Sequence, residues 1–402
     1  MNPRKGIFWF HLICGIIVGA VVLIMSVTGT ILAFEHQIVE YAEQNVRKVA
    51  IPAQAIRLTL DEIVAKASEV KPESKVSSVM VKSDPNASVL VSFGREDAFY
   101  FDPYTGKKLG GDSAAHKFMH DVEVWHRWLG MEGELKPIGH NIKGVCTIAF
   151  FFMIISGVYL WWPKSWKWPG IKSIIAFNPR AKGKARDWNW HNVIGFWAAP
   201  FLILITVTGI IMSYRWANDL LYRMTGNEPP VVQTAEKPKE KSAEKSAEKS
   251  ERGGRDKDKN DDSLNAKDPE SPSASLDVLL ANAAPQIPGW ISMTFKISGG
   301  GSGQQGQGDK GKINVTVQEP EPRNLNPRAQ ITMDRFTGEI IKVETFAQQN
   351  LGRKLRIWAR YSHTGQAFGV IGQLILAIAS AGAAVLVWTG FALAWRRFFV
   401  KS

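Results

Sequence analysis

The chain has 402 residues, a formal net charge of +12 and a mean hydropathy of −0.10, values that an ordinary soluble protein also shows. The average hides strong segregation, because four stretches are nearly free of charge over the roughly 20 residues that a helix needs to cross a bilayer. With 2 cysteines and no C-x-x-C-H sequence, the chain cannot attach a c-type haem covalently or build a cysteine-based zinc or iron–sulfur site. No nucleic-acid-binding motif accompanies the positive charge, so a nucleic-acid partner is not expected.

In chain order the sequence predicts a multi-pass membrane protein. The four predicted transmembrane helices are residues 7–34, 140–162, 188–214 and 363–395. They separate two long loops and a short one, residues 35–139, 215–362 and 163–187. The short loop carries seven lysines and arginines against one acid, and further basic residues flank the first and last spans. By the positive-inside rule, both termini are cytoplasmic and the long loops lie outside.

Two insertions lengthen the second long loop. Residues 235–273 are charged and of low complexity, a composition that cannot bury a core and that predicts disorder. Residues 299–312 are rich in glycine and predict a flexible hairpin loop.

The chain reads as two copies of one unit. All four spans carry a small hydroxyl residue followed by glycine, and an aromatic residue follows five positions on. Each long loop contains a D-x-x-T-G sequence, beginning at Asp102 or Asp334, that predicts a strand–turn–strand hairpin with a helix upstream. The predicted fold is therefore membrane α-helical, with four transmembrane helices arranged as two repeats of span, α+β domain and span.

Two histidines occupy matching places in the first and third spans. His11 and His191 align at an offset of 180 residues, and each lies 18 residues before a glycine, Gly29 or Gly209. Eighteen residues make about five helical turns, so each histidine shares a helix face with its glycine. Because ionisable residues within a membrane are candidates for function, we predict that His11 and His191 are ligands near the cytoplasmic face.

Glycines accompany these histidines on the same spans and on the two facing spans. The six that the pattern selects are Gly15, Gly195, Gly29, Gly209, Gly157 and Gly390. Such a set suits a flat macrocycle inserted edge-on in a four-helix bundle, with imidazoles binding its iron from both faces and glycines letting its edge approach the backbone. Helix packing is the alternative reading for any single glycine.

A second ligand pair is predicted near the outer face. His126 and His363 precede the glycines of the second and fourth spans by similar distances, so we pair them as ligands of a second haem iron. A histidine at the end of a span can also be a simple interfacial residue. Four other histidines remain alternatives for the outer ligands: His36, His116, His120 and His140.

Five segments together resemble one family. "VWHRWLG", "SGVYLWWP", "ARDWNWHNVIGFW", "HTGQAFGVIGQ" and "LVWTGFALAWRR", in this order around the four spans, are similar to the PepSY-associated transmembrane family. The hairpins "FDPYTGKKL" and "MDRFTGEII" resemble its extracytoplasmic PepSY domains. The resemblance covers nearly the whole chain apart from the two insertions. It implies two b-type haems, for which His11, His126, His191 and His363 fall on the family's recurring histidine positions.

The resemblance also implies functions, because the family includes bacterial iron-regulated membrane proteins and ferric-siderophore reductases. The expected function is a di-haem b oxidoreductase of the bacterial inner membrane that passes electrons from the cytoplasmic side to a periplasmic acceptor such as a ferric siderophore. No residue is expected to be catalytic in its own right, and no nucleotide-binding fingerprint is present, so the electron donor stays open. A regulatory or structural PepSY membrane protein without a cofactor and an iron or haem transporter are the alternatives.

Overall fold

The computed structural model describes residues 3–54, 56–94, 97–163, 167–230, 273–297, 311–320 and 325–400. The predicted disordered insert, residues 235–273, lies outside the described residues except for its last position, and so does most of the glycine-rich loop. The described residues form a bundle of four long helices, a β-sheet at one end of it, and several shorter helices.

In chain order, the helices of the described residues are α1 (Pro3–Leu32), α2 (Glu35–Ala42), α3 (Gln44–Arg47), α4 (Leu60–Val70), α5 (Ala114–Trp128), α6 (Lys136–Trp161), α7 (Trp168–Ile175), α8 (Gly183–Ser213), α9 (Arg215–Met224), α10 (Leu276–Ala283), α11 (Leu351–His363) and α12 (Gly369–Phe398). The long helices of the bundle are α1, α6, α8 and α12, which have 30, 26, 31 and 30 residues.

All four long helices are apolar enough to cross a membrane, which confirms the prediction of a multi-pass membrane protein. Helices α1, α6 and α8 begin about four or five residues before the predicted bounds and end within two residues of them. The predicted fourth span, residues 363–395, is wrong at its start. His363 ends α11, and α12 begins only at Gly369, because Gly365 and Gly369 adopt left-handed φ angles of 79° and 65° that interrupt the helix.

Helix α1 packs against α6, α6 against α8, α8 against α12, and α12 against α1, so the four spans close a ring. Small side chains allow the close approach, as at Ala198 and Ala199 of α8 and Ala379 and Ala383 of α12, which are buried together. Both α1 and α12 have their terminal ends at the same end of the bundle, which we call the terminal side. The opposite end, where α1 ends and α6 begins, is the sheet side.

The strands of the described residues form one antiparallel sheet. They are β1 (Val76–Lys82), β2 (Val89–Phe93), β3 (Asp97–Phe101), β4 (Lys108–Gly111), β5 (Ser292–Lys296), β6 (Lys312–Gln318), β7 (Arg328–Asp334) and β8 (Ile340–Glu344). Their order in the sheet is β4-β3-β2-β1-β5-β6-β7-β8, so each long loop supplies four consecutive strands and the two sets meet at β1 and β5.

Both predicted hairpins are confirmed. In the first, Asp102 Oδ1 accepts hydrogen bonds from the backbone N–H groups of Tyr104 and Thr105, at 2.8 and 3.3 Å, and β3 pairs with β4. In the second, Asp334 Oδ1 accepts from Phe336 and Thr337 in the same way, and β7 pairs with β8. The predicted upstream helices are α4 and α10.

The two halves of the sheet are also joined through these helices. The backbone N–H of Leu60, which begins α4, donates to Asp277 Oδ2 at 2.8 Å, and that of Leu276, which begins α10, donates to Asp61 Oδ2 at 2.9 Å. Each helix therefore receives an acidic cap from the other at its N-terminus, where the helix dipole favours negative charge. The long loops thus fold on one shared sheet.

Two short helices link this sheet to the bundle. The Ser113 side chain caps α5 and the Asn350 side chain caps α11, so both helices start from defined points just after the last strand of each half. Helix α5 packs against α1, and α11 packs against α8. Each brings one histidine, His126 or His363, to the sheet-side end of the bundle near its own C-terminus.

Candidate functional site

The structure brings the four predicted ligand histidines together as two pairs. His11 of α1 faces His191 of α8, with ring centroids 6.4 Å apart and ring planes at 85°. His126 of α5 faces His363 of α11, with centroids also 6.4 Å apart and planes at 64°. The pairing that the sequence predicted is the pairing that the fold produces.

The separation of the rings has a chemical meaning. A metal–nitrogen bond to imidazole is about 2.0 Å long, and a ring nitrogen lies about 1.1 Å from its centroid, so two imidazoles on opposite sides of one ion have centroids about 6.2 Å apart. Both pairs match this spacing. The spacing of each pair is therefore compatible with one ion held between its two rings.

A hydroxyl group fixes one nitrogen of every ring. His11 Nδ1 lies 2.9 Å from Ser156 Oγ, and His191 Nδ1 lies 2.9 Å from Thr389 Oγ1. At the other level, Nδ1 of His126 lies 2.8 Å from the Thr28 hydroxyl, and Nδ1 of His363 lies 3.0 Å from the Thr208 hydroxyl. All four hydroxyls belong to the hydroxyl–glycine pairs that recur in the spans.

The helix backbone sets the direction of these hydrogen bonds. Each hydroxyl already donates its proton to a carbonyl of the preceding turn: Thr28 to Ile24 at 2.6 Å, Thr208 to Leu204 at 2.6 Å, Thr389 to Val385 at 2.8 Å and Ser156 to Met153 at 2.9 Å. A hydroxyl that donates to this carbonyl accepts from the imidazole, an arrangement that favours the proton on Nδ1. That tautomer leaves the Nε2 lone pair free, as a metal ligand needs.

The glycine of each pair makes space for the ring. A Cβ atom at Gly209 would lie 3.2 Å from His363 Cε1, and one at Gly29 would lie 3.3 Å from His126 Cε1. The corresponding distances are 3.3 Å from Gly157 to His11 and 3.6 Å from Gly390 to His191. Sequence reasoning expected these glycines to admit the edge of a macrocycle, whereas in the structure they lie directly against the imidazoles.

The His11–His191 pair lies in a cavity of about 950 Å³ between the four spans. Gly15 and Gly195 line this cavity one turn from the histidines, as do apolar and aromatic side chains such as Phe196. At the terminal-side end the lining includes four cationic residues, Arg4, Lys5, Lys184 and Arg397. The volume, the apolar walls and the cationic mouth suit a large flat ligand with an acidic edge.

Burial changes the protonation equilibrium of the His126–His363 pair. It lowers the pKa of His126 to about 3, with further lowering by the charges of His363 and Lys143, and it lowers the pKa of His363 to about 4. Both rings are therefore neutral near pH 7, which is the protonation state that binds iron.

The four alternative histidines do not join either pair. His36 and His120 are exposed, and His36 lies 3.6 Å from Glu40. His140 Nε2 lies 3.0 Å from the backbone carbonyl of Ser213. His116 lies in a polar cluster under the sheet.

That cluster is the one group of three or more side chains found among the described residues that could hold a metal ion together: Glu43, Asp112 and His116, with ligand atoms within 4.8 Å of one another. Glu43 is only 1% exposed, and its oxygens accept from Arg47, Tyr100 and Ser113. These hydrogen bonds outweigh burial and hold its pKa below the usual range. Because Arg47 already supplies the compensating charge, the cluster is explained as a structural network that joins α3, β3 and α5.

Sequence reasoning missed two features of the site. It noted the hydroxyl–glycine repeat but assigned a role to the glycine alone, although four hydroxyls for four histidines was a readable signal. It also passed over Lys143, a cation within the second span that is only 7% exposed.

The fold and the site thus define a membrane protein of four spans with two histidine pairs at different depths and an antiparallel sheet at one end. A family model described as the PepSY-associated TM region matches residues 8–397. The chain belongs to this family. No curated protein matches its sequence.

Proposed function

We propose that this protein is a di-haem b oxidoreductase that passes electrons across the bacterial inner membrane to an acceptor outside, and that this acceptor is a ferric siderophore. The observation that carries the proposal is the pair of facing imidazoles at each level, 6.4 Å apart and with every Nδ1 held by a hydroxyl. Bis-histidine ligation is one of the recurring ways in which helical bundles hold haem iron.

The roles of the residues follow from their contacts. His11 and His191 would be the iron ligands of an inner haem, and His126 and His363 those of an outer haem. Ser156, Thr389, Thr28 and Thr208 orient the four rings and fix their tautomer. Such outer partners raise the basicity of a ligating imidazole and are needed for full metal affinity.

The cavity around the inner pair supports a haem in particular. Gly15 and Gly195 keep its walls open beside the histidines, and most of its lining is apolar. The cations at its mouth, Arg4, Lys184 and Arg397 among them, would neutralise the carboxylates of the ligand.

The two levels lie far apart along the bundle. Seventeen residues separate His11 from Thr28, the partner of His126, which corresponds to about 26 Å of helix rise. Haems bound at the two levels would supply the one-electron chemistry that connects the faces of the membrane. For each electron taken from a quinol, a reduced protein or a diffusible reductant on the inner side, one Fe(III) outside becomes Fe(II), which hard oxygen ligands hold less tightly.

The orientation belongs to the same proposal. The terminal side of the bundle carries the basic 163–187 loop and the basic ends of the chain, so it would face the cytoplasm, and the sheet would lie in the periplasm. The two long loops would then be PepSY-like halves of a repeated span–domain–span unit. Their shared sheet would lie on the side where a water-soluble acceptor approaches.

The test is electron delivery from a sealed vesicle. The protein is reconstituted with its sheet side outward and reduced with dithionite, and a ferric siderophore is then added outside. The wild type should reoxidise, whereas His363→Ala should retain the inner haem spectrum and fail to reoxidise. His120→Ala, which removes an exposed histidine of α5, is the matched control and should behave as the wild type. Reoxidation of His363→Ala at the wild-type rate, with its outer haem gone, would contradict the proposal.

A further inference from the structure

Lys143 is buried in a place where lysine is rarely found. It lies in α6, within a candidate membrane span, and is only 7% exposed. Lysines near the end of a span usually extend toward the headgroups. In the part of the chain that the structure describes, Lys143 Nζ instead donates to Ser213 Oγ at 2.7 Å and forms no ion pair with a carboxylate. A buried charge without a counter-charge is costly, so the groups near Lys143 indicate which role the charge has.

The position of Lys143 relative to the His126–His363 pair follows from helix geometry. Ser213 lies four residues beyond Gly209, the glycine that contacts His363, so the lysine–serine contact is about one turn, or 6 Å, further toward the sheet side. Thr147, one turn from Lys143 in the other direction, has its methyl group 3.9 Å from the position of a Cβ on Gly209. Lys143 therefore lies about one turn from His363, along the interface between α6 and α8.

The other histidine pair has no such neighbour among the described residues. The cations near His11 and His191 lie at the open mouth of the cavity. The repeat-related residue of α12, which lies at the same outer level as Lys143, is Leu376, so the second repeat adds no lysine there. The two levels are alike in their ligands and hydroxyl partners but differ by one buried positive charge.

We propose that the positive charge of Lys143 raises the reduction potential of the outer haem site above that of the inner one. This inference rests on the proposed function. A nearby cation stabilises the reduced form of a metal site, because reduction adds a negative charge, and screening is weak where water is excluded. The charge thus favours movement of the electron from the inner to the outer level.

The test is a redox titration of the purified protein, followed through the separate spectra of the two sites. Lys143→Met and Lys143→Gln should lower the equilibrium constant for one-electron reduction of the outer haem by about tenfold, which is a fall of about 59 mV in its reduction potential. The potential of the inner haem should stay unchanged. Lys143→Arg should keep the wild-type potential because it keeps the charge. Lys136→Met removes an exposed lysine of α6, the helix of Lys143. Its ammonium lies over the Trp128 ring of α5, and solvent screening should leave both potentials unchanged in this variant.

The possible outcomes distinguish failure of the Lys143 inference from failure of the proposed function. An unchanged outer potential in both neutral variants, with two haems still bound, would overturn the role of Lys143 and leave the proposed function standing. Loss of the outer haem in the neutral variants but not in Lys143→Arg would support a role for the charge. Loss of that haem in Lys143→Arg as well would show a structural role and overturn the inference. A wild type without haem would overturn both.

Discussion

Thr28 offers a sharp test of the hydroxyl–imidazole arrangement. Thr28→Val replaces the hydroxyl by a methyl group of similar size and removes the contact at 2.8 Å that fixes His126 Nδ1. Loss of one neutral hydrogen bond costs about 1 kcal/mol, or roughly fivefold in affinity. Thr28→Val also removes the group that keeps the proton on Nδ1. The loss in affinity therefore rises toward the roughly 10- to 100-fold that hydrogen-bond partners of metal ligands contribute. We therefore expect the outer haem to dissociate roughly 5- to 100-fold faster than in the wild type.

The assay is transfer of haem from detergent-solubilised protein to an excess of apo-globin. Two phases are expected, one for each level, and only the phase of the outer haem should accelerate. Thr30→Val is the matched control, since Thr30 lies two residues further along α1 and its hydroxyl donates to the backbone carbonyl of Ser26 at 2.8 Å without contacting a histidine. Equal rates for Thr28→Val, Thr30→Val and the wild type would refute the argument that the hydroxyl orients the ligand.

Three further predictions concern the inner ligands, the glycines and the topology. His191→Ala should lose one of two haems per chain by pyridine haemochrome assay and keep the other, and full haem content would remove its assignment. Gly209→Val should lose the outer haem because its side chain would press on His363, whose Cε1 lies 3.2 Å from the added Cβ, whereas Gly6→Val, with nothing within 4 Å, should keep both haems. A protease added to intact spheroplasts should cut residues 240–260 and spare residues 163–187, and the reverse pattern would invert the topology.

Hydropathy located the membrane spans because a bilayer imposes length and composition on the sequence directly. The start of the fourth span was misplaced because the stretch without charged residues already includes "HTGQAFG", while the backbone breaks at Gly365 and Gly369. Those two glycines were the available signal. The pairing of β1 with β5 had no signal of its own, since contacts between distant segments depend on tertiary packing.

The histidine pairs were predictable because repeat positions and helix geometry fix height and face, as for His11 and His191. The contacts between hydroxyls and imidazoles could not be predicted from the heights of the residues in the bundle alone. Whether Thr389 Oγ1 reaches a ring nitrogen depends on the rotation of α12 against α8, which the sequence does not state. Lys143 was missed for the related reason that a lysine near a span end is ordinary until its burial is known.

The most direct measurement of the central claim is the visible absorption spectrum of the wild-type protein, purified from haem-replete cells and reduced with dithionite. The account predicts sharp α-bands of low-spin b-type haem, with two haems per chain by pyridine haemochrome. A purified, folded protein without these bands would contradict it and favour a PepSY membrane protein that acts without a cofactor.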